Sequence, residues 1–224
     1  MKDILLIPTA ADEITVDAVV AVATAEMLAP IGATFENVAV VEPAISVGVA
    51  AAAAKANTVQ HVLLRLTPGV QTHTHASIST AHEDVKFGFS IASGAAWAAV
   101  EATLSHPELE LRGFHSHIGS QIFGTQSFEL AADRLISLLA KYRDAYGKEL
   151  PELDLGGGYG IAYLPDDETL EPGEVLPALR SAVTKGCEKH KLNIPIISIE
   201  PGRAIVGPTT FTLYEVGTTK DVEL

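Results

Sequence analysis

The stretch LELRGFHSHIGSQIF, residues 109–123, begins with a short apolar run and ends in a polar loop. The apolar run predicts a β-strand over residues 109–117. Leucines then recur at helical spacing over residues 128–146, which predicts a long helix with one buried face. A second apolar run, residues 150–155, leads into three glycines. A strand, a helix and a strand at this spacing predict a βαβ unit with parallel strands.

The same alternation extends along the chain in both directions. Repeated βαβ units are typical of an α/β fold, either a doubly wound sheet or a TIM-barrel-like domain. Because a closed barrel needs eight strand–helix units and the sequence has about six, we expect an incomplete parallel barrel. A last apolar run, residues 210–216, has no helix after it. The other predicted strands are residues 3–7, 37–41, 61–67 and 195–200, and the other predicted helices are residues 16–28, 45–56, 94–104 and 173–190.

The composition excludes several classes of function. Lys and Arg number 15 and Asp and Glu number 28, so the net charge is −13 at pH 7. This charge repels nucleic acids and anionic membranes, and we expect neither as a partner. Cys187 is the single cysteine, which excludes an internal disulfide and fits the cytoplasm. The amino terminus has no signal-peptide pattern, and no apolar stretch is long enough to cross a membrane.

Residues suited to ligand binding cluster where predicted strands end, which is where parallel α/β folds bind their ligands. The triple glycine can bring bare N–H groups close to an anion, although a tight turn is the better explanation when these glycines are taken alone. Glu-Pro-Gly-Arg offers a carboxylate and a cation, and His-Ile-Gly-Ser-Gln offers an imidazole and a hydroxyl. Together they predict a pocket for a phosphorylated, nitrogen-containing aromatic cofactor. The residues concerned are His117, Ser120, Gly156, Gly157, Gly158, Glu200, Gly202 and Arg203.

Several stretches resemble motifs of the diaminopimelate decarboxylases, which are pyridoxal-phosphate enzymes of the alanine-racemase-like fold (fold type III). The resemblance runs from Val38 to Leu224. It implies a TIM-barrel domain and loss of one carboxylate from meso-2,6-diaminopimelate, which gives L-lysine and CO2. The histidine-rich stretch favours diaminopimelate over ornithine or arginine as substrate. The stretches are HTHASISTAHEDVKFGFS (73–90), FHSHIGSQIF (114–123), LDLGGGYGIAY (153–163), EPGRAIVGP (200–208) and LYEVGTTKDV (213–222).

The resemblance also implies a role for each site residue. His117 would stack on the pyridine ring of pyridoxal 5'-phosphate, and Ser120 would lie near its phosphate. Glu200 would pair with the protonated ring nitrogen, and Arg203 would reach the cofactor or the substrate. The phosphate would be bound by the backbone N–H groups of Gly156, Gly157, Gly158 and Gly202.

The family's Schiff-base lysine has no clear counterpart. Lys55 in AAAAKAN looks like the family motif YAxKAN, but it precedes His117 by only 62 residues, which is less than half the family's spacing. We therefore expect Lys55 to be a solvated lysine, and Lys86 to match a family lysine that is not the Schiff-base lysine. We also expect residues 1–37 to be a divergent leader, residues 38–224 to be the cofactor-binding barrel portion, and the family's C-terminal β-domain to be absent.

Two functions follow from this pattern. The chain is a diaminopimelate decarboxylase with impaired activity, or a truncated or engineered barrel that binds a phosphorylated ligand without turnover. Unclosed sheet edges predict either a homo-oligomer that pairs across them or a leader that covers one of them. Arg65 either binds an anionic group or pairs with a carboxylate such as Glu83. A metal site is a third interpretation with little support, and we predict none; its ligands would be His73, His75 and His82 with Glu83 and Asp84.

Overall fold

A computed structural model describes residues 39–41, 46–70, 87–218, 220 and 221. The predicted strand at residues 3–7 and the predicted helix at residues 16–28 lie outside this range. None of the helices among the described residues is both long and apolar enough to cross a membrane.

Strands and helices alternate as the sequence predicts. The strands are β1 (Ala39–Val41), β2 (Gln60–Thr67), β3 (Phe89–Ser90), β4 (Leu109–His115), β5 (Glu152–Asp154) and β6 (Ile196–Ser198). The helices are α1 (Ser46–Ala56), α2 (Ala95–Leu104), α3 (Gln126–Tyr146), α4 (Pro172–His190) and the short α5 (Gly202–Val206), which a 3₁₀ turn (Gly207–Thr209) follows.

All strand pairs in the described sheet are parallel, in the order β1-β2-β4-β5-β6, and β3 pairs with the carboxyl end of β2. This confirms the predicted parallel α/β fold. The register aligns the strand ends: Arg65 lies opposite His115, His115 opposite Asp154, and Asp154 opposite Ser198. Directly opposite residues of neighbouring strands share a face of the sheet, so the register collects polar side chains at one end of it.

Helix α3 is long because both of its ends are well defined and one face is apolar. At its start, the Thr125 hydroxyl donates to Glu129 Oε1 over 2.6 Å. At its end, Gly147 adopts φ +68° and donates its N–H to the Arg143 carbonyl over 2.7 Å. This is the left-handed termination that glycine favours. The predicted leucine face is buried, and it holds α3 against α4 and the sheet.

Three local expectations differ from the structure. Strand β4 ends at His115, two residues earlier than predicted, so His117 lies in the following loop. Strand β3 has only two residues and is too short to give a periodic signal. The apolar run at residues 210–216 forms no strand, and its side chains are exposed, Phe211 by 82% and Tyr214 by 87%. Hydrophobicity alone predicts neither pairing nor burial at that position.

Candidate cofactor site

Three loops meet at the carboxyl ends of β4, β5 and β6, and the triple glycine lies between the other two. A Cβ added to Gly156 would collide with the Ser116 carbonyl, and one added to Gly157 with the Glu200 carbonyl. A Cβ added to Gly158 would collide with the carbonyl oxygen of the loop after β4, at position 119. The turn is therefore glycine because backbones pack directly against it on both sides.

Two of these glycines also need their backbone freedom. Gly156 has φ +68° and Gly158 has φ +99°, conformations that side-chain-bearing residues rarely adopt. The Gly156 N–H donates to Oδ1 of Asp154 over 2.8 Å, and the Gly156 carbonyl accepts the Glu200 N–H over 2.9 Å. The turn is thus tied to its own strand and to the end of β6.

His117 lies in the loop after β4 and faces the glycine turn. The Gly157 backbone nitrogen is 3.4 Å from its Nδ1. Burial, together with His115 and Arg65, lowers the pKa of His117 from 6.5 to about 4. Its imidazole is therefore neutral at neutral pH, and a neutral ring can stack on a cationic aromatic ring without charge repulsion.

Glu200 lies at the end of β6, beside the last residue of β4. Its Oε2 is 3.3 Å from Nε2 of His115, whose side chain is 1% exposed. Burial raises the pKa of Glu200, but the His115 hydrogen bond and the charges of His115, His117 and Arg65 together bring it below its ordinary value. Glu200 is therefore a carboxylate at neutral pH.

Asp154 completes this group, and sequence reasoning gave it no role. One polar atom each of His115, Asp154 and Glu200 lies within 4.8 Å of the other two. Burial raises the pKa of the Asp154 carboxyl, while His115 opposes that shift. The signal that could have found Asp154 is its position as the last strand residue before the glycines.

Gln121 joins the loop after β4 to the loop after β5, and sequence reasoning also gave it no role. Its Nε2 donates to the Ile161 carbonyl over 3.0 Å, and its Oε1 accepts the Ile161 N–H over 3.1 Å. The adjacent backbone continues this pairing, because Ile122 donates to the Gly158 carbonyl over 3.0 Å. The Gln121 carboxamide therefore pairs with Ile161 as a backbone peptide group would, and it holds the two loops in register.

The other predicted site residues, Ser120, Gly202 and Arg203, have fewer contacts with the glycine turn and Glu200. Ser120 is half-buried, and a Cβ on Gly158 would lie 3.4 Å from its Cα. The N–H of Gly202 donates to the Glu200 carbonyl over 2.8 Å. Arg203 is exposed in the first turn of α5, and no contact among the described residues joins it to His117 or to the glycines.

Lys55 lies at the other end of the sheet. It is exposed in the last turn of α1, five positions before the amino end of β2. Strand β2 has eight residues and so spans about 23 Å. The site lies beyond its carboxyl end, where Arg65 stacks on the Phe87 ring with its guanidinium carbon 5.0 Å from the ring centroid. Lys55 therefore lies far from the three loops, and its assignment as a solvated lysine stays a prediction.

Other predicted features lie outside the site or outside the described residues. Cys187 is buried in α4, and burial raises its pKa, as expected of a structural thiol. The proposed metal ligands His73, His75 and His82, and also Lys86, lie outside the described residues.

Comparison with known proteins identifies the family. The family model described as "Pyridoxal-dependent decarboxylase, pyridoxal binding domain" matches residues 15–207. The chain belongs to this family. This confirms the predicted resemblance and, with it, the expected pyridoxal cofactor.

Curated relatives of this chain are named diaminopimelate decarboxylase. The chain is 51% identical over 172 residues to diaminopimelate decarboxylase of Corynebacterium efficiens, covering 77% of this chain and 38% of that protein. It is 52% identical over 181 residues to diaminopimelate decarboxylase of Mycobacterium tuberculosis, covering 78% of this chain and 40% of that protein. The chain therefore spans about two fifths of the length of these curated relatives.

The structure agrees with these relatives. The crystal structure of diaminopimelate decarboxylase from M. jannaschii in complex with L-lysine matches with a TM-score of 0.65 and 27% identity. The match covers 75% of this chain and 38% of that one. A second crystal structure of that enzyme matches with a TM-score of 0.66. The parallel α/β domain of the family is thus present in the described residues.

The site residues fit the family's cofactor. Three buried side-chain atoms at the site have no hydrogen-bond partner within the described part of the chain: His115 Nδ1, Ser116 Oγ and Glu200 Oε1. Unsatisfied buried polar atoms are rare and indicate a missing ligand or water. The turn offers N–H groups to a phosphate, His117 offers a neutral ring face, and Glu200 offers an anionic acceptor to a pyridinium N–H.

Proposed function

We propose that this protein uses pyridoxal 5'-phosphate to decarboxylate meso-2,6-diaminopimelate to L-lysine. One observation carries the proposal: an ionised, largely buried Glu200, whose Oε1 has no partner among the described residues, lies beside the glycine turn that His117 faces. The identity of 51% to diaminopimelate decarboxylase of C. efficiens supports the choice of substrate.

Each site residue then has a defined task. Gly158 would donate its backbone N–H group to the phosphate, and Gly157 would do so by giving up its 3.4 Å contact with Nδ1 of His117, whereas the Gly156 N–H is bonded to Asp154. His117 would lie against the ring, and Glu200 would keep the ring nitrogen protonated. Bound there, the cofactor supplies an electron-accepting ring that stabilises the charge left on carbon when a carboxylate leaves.

The overall step balances with one proton. The bond between the α-carbon and its carboxylate breaks, CO2 leaves, and a proton takes its place on the same carbon. We assign Ser120 and Gly202 to the phosphate side of the site, and Arg203 to cofactor or substrate binding. Arg203 would have to turn from its exposed position to do so.

The position of Lys55 supports a second candidate function, reversible cofactor binding without a covalent link. Lys55 is exposed at the amino end of β2, and none of the lysines in the described residues lies in the three loops that form the site. A chain that relies on these loops alone would bind pyridoxal phosphate without turnover.

Borohydride trapping separates the two functions. The purified chain is incubated with pyridoxal 5'-phosphate, reduced and mapped by peptide mass spectrometry, and CO2 release from meso-diaminopimelate is measured in parallel. Decarboxylase function predicts one labelled lysine and CO2 with stoichiometric L-lysine. Reversible binding predicts saturable binding with neither a label nor CO2. A label on Lys55 would overturn its assignment as a solvated residue, and absence of any binding would overturn both functions.

We also propose that the protein is a cytoplasmic homo-oligomer and that residues 38–224 form its cofactor-binding portion. The single cysteine supports the compartment. Exposed apolar side chains support self-association, because Ile194 and Ile196 at β6 are 56% and 62% exposed. Light scattering during size-exclusion chromatography tests it: a mass above 23.6 kDa is expected, and a monomer would contradict it.

A further inference from the structure

His115 is not assigned a contact with the cofactor in the proposed function, yet it is the most buried ionisable side chain of the site. It is the last residue of β4, its side chain is 1% exposed, and it lies opposite Asp154 of β5 in the parallel register. Burying an imidazole in a sheet costs free energy unless the ring is hydrogen-bonded. The His115 side chain is hydrogen-bonded to Glu200, 85 positions later in the chain.

The state of Glu200 decides which imidazole nitrogen carries hydrogen. A carboxylate has acceptor atoms only, so the 3.3 Å contact between His115 Nε2 and Glu200 Oε2 requires a hydrogen on Nε2. This bond occupies Oε2 and leaves Oε1 buried without a partner among the described residues. Glu200 therefore presents one oxygen that is already bonded and one that is available.

The groups around Glu200 oppose the effect of burial on its protonation. At neutral pH, where His117 is neutral, the His115 hydrogen bond and the charge of Arg65 favour the carboxylate, and Asp154 is the acidic group that faces it. The His115 imidazole is hydrogen-bonded directly to the carboxylate. Without that bond, burial would shift the balance toward the neutral carboxylic acid.

We infer that His115 is a positioning residue that holds Glu200 as a carboxylate. In this way it keeps the proton that lies between Glu200 and the cofactor on the ring nitrogen. The inference rests on the proposed pairing of Glu200 with that nitrogen. In the bound pair, one proton can sit on the ring nitrogen or on the carboxyl oxygen. A donor to the carboxylate favours the first arrangement, and the protonated ring is the better electron acceptor.

The test uses pyridoxine 5'-phosphate labelled with ¹⁵N in the ring. This probe has the ring and the phosphate but no aldehyde, so its binding does not depend on any lysine. The ring ¹⁵N chemical shift reports whether the nitrogen is protonated. The full chain, His115→Phe and His115→Gln are compared at neutral pH, and Glu200→Gln serves as the reference for a lost carboxylate. Phenylalanine fills the space without a donor, whereas glutamine can place an amide N–H near the position of Nε2.

The expected result is a protonated ring nitrogen in the wild type. In His115→Phe the ratio of nitrogen-protonated to carboxyl-protonated pairs should fall about tenfold, equivalent to one pKa unit. His115→Gln should restore most of it. An unchanged ring ¹⁵N shift in His115→Phe, or a glutamine variant that behaves like the phenylalanine variant, would overturn the inference while leaving the proposed function intact. A wild-type chain that does not bind the probe at all would overturn both.

A second measurement does not depend on any variant folding. The imidazole ¹⁵N spectrum of the wild type should show His115 with hydrogen on Nε2, and Glu200→Gln should alter that signal. A resting tautomer with hydrogen on Nδ1 alone would contradict the inference.

Discussion

The backbone N–H of Gly156 donates to the carboxylate of Asp154, two residues earlier, over 2.8 Å. The last side chain of β5 thus folds back over its own strand end and fixes the start of the glycine turn. Asp154 also lies beside His115 and Glu200, so one carboxylate joins the phosphate side of the site to the ring side.

Replacing Asp154 should loosen the glycine turn unless the acceptor is kept. Asp154→Ala leaves the buried Gly156 N–H without a partner, so we expect a loss of about 1–3 kcal/mol of stability and weaker binding of pyridoxine 5'-phosphate. Asp154→Asn retains Oδ1 and should bind the probe more tightly than Asp154→Ala. Urea unfolding and a fluorescence titration measure both quantities, and equal binding by the two variants would contradict this role.

A methyl group at Gly157 should disrupt the site through space rather than through backbone strain. Gly157→Ala places a Cβ on the Glu200 carbonyl, and its φ is not in the left-handed region. We expect it to cost about 1–3 kcal/mol and to weaken probe binding. Gly173→Ala is the matched control, because its φ is also ordinary and no atom lies within 4 Å of its Cβ position. The control should stay within about 0.5 kcal/mol of wild type. Similar behaviour of the two variants in urea unfolding would show that the close packing is incorrect.

The side chain of Gln121 should protect the backbone of the loop after β5. Gln121→Leu removes both hydrogen bonds to Ile161. The Ile161 amide should then exchange with solvent at least about tenfold faster, because each lost bond contributes about 1 kcal/mol. Gln126→Leu, at an exposed position in the first turn of α3, is the control and should leave that exchange rate unchanged. Equal protection in both variants would contradict the link between the loops.

The neutral state of His117 should make stability depend on pH. Its pKa falls from 6.5 in the unfolded chain to about 4 in the folded one, so between these values the unfolded state binds more protons. This contribution to stability is complete above about pH 6.5 and is lost as the pH falls toward 4, by an amount on the order of 3 kcal/mol.

His117→Phe isolates this contribution, because it keeps an aromatic ring and removes the titrating group. The free energy of unfolding of the wild type should decrease more steeply than that of the variant as the pH falls from about 6.5 to 4. Parallel pH profiles from urea unfolding would show that His117 titrates normally in the folded protein.

The sequence predicts the parallel fold because strand and helix periodicities alternate clearly. It also predicts that His117, the triple glycine and Glu200 converge, because all three follow strands whose carboxyl ends face the same way. Pairings that depend on register are different. His115 meets Glu200 across two strand pairs, and a single residue of slippage would turn either side chain away. Gln121 has φ +57°, a conformation that no residue pattern of this kind predicts.

Chemical-shift mapping with pyridoxine 5'-phosphate tests the central claim most directly. The claim is that the loops after β4, β5 and β6 bind the phosphate and ring of the cofactor. Amide ¹H–¹⁵N spectra of the full chain should show the largest changes at Gly157, Gly158 and Ser120, with saturation as the probe is added. The amides of α1 around Lys55 should not move. Changes centred on α1 and the amino end of β2, or none at the glycine turn, would contradict the claim.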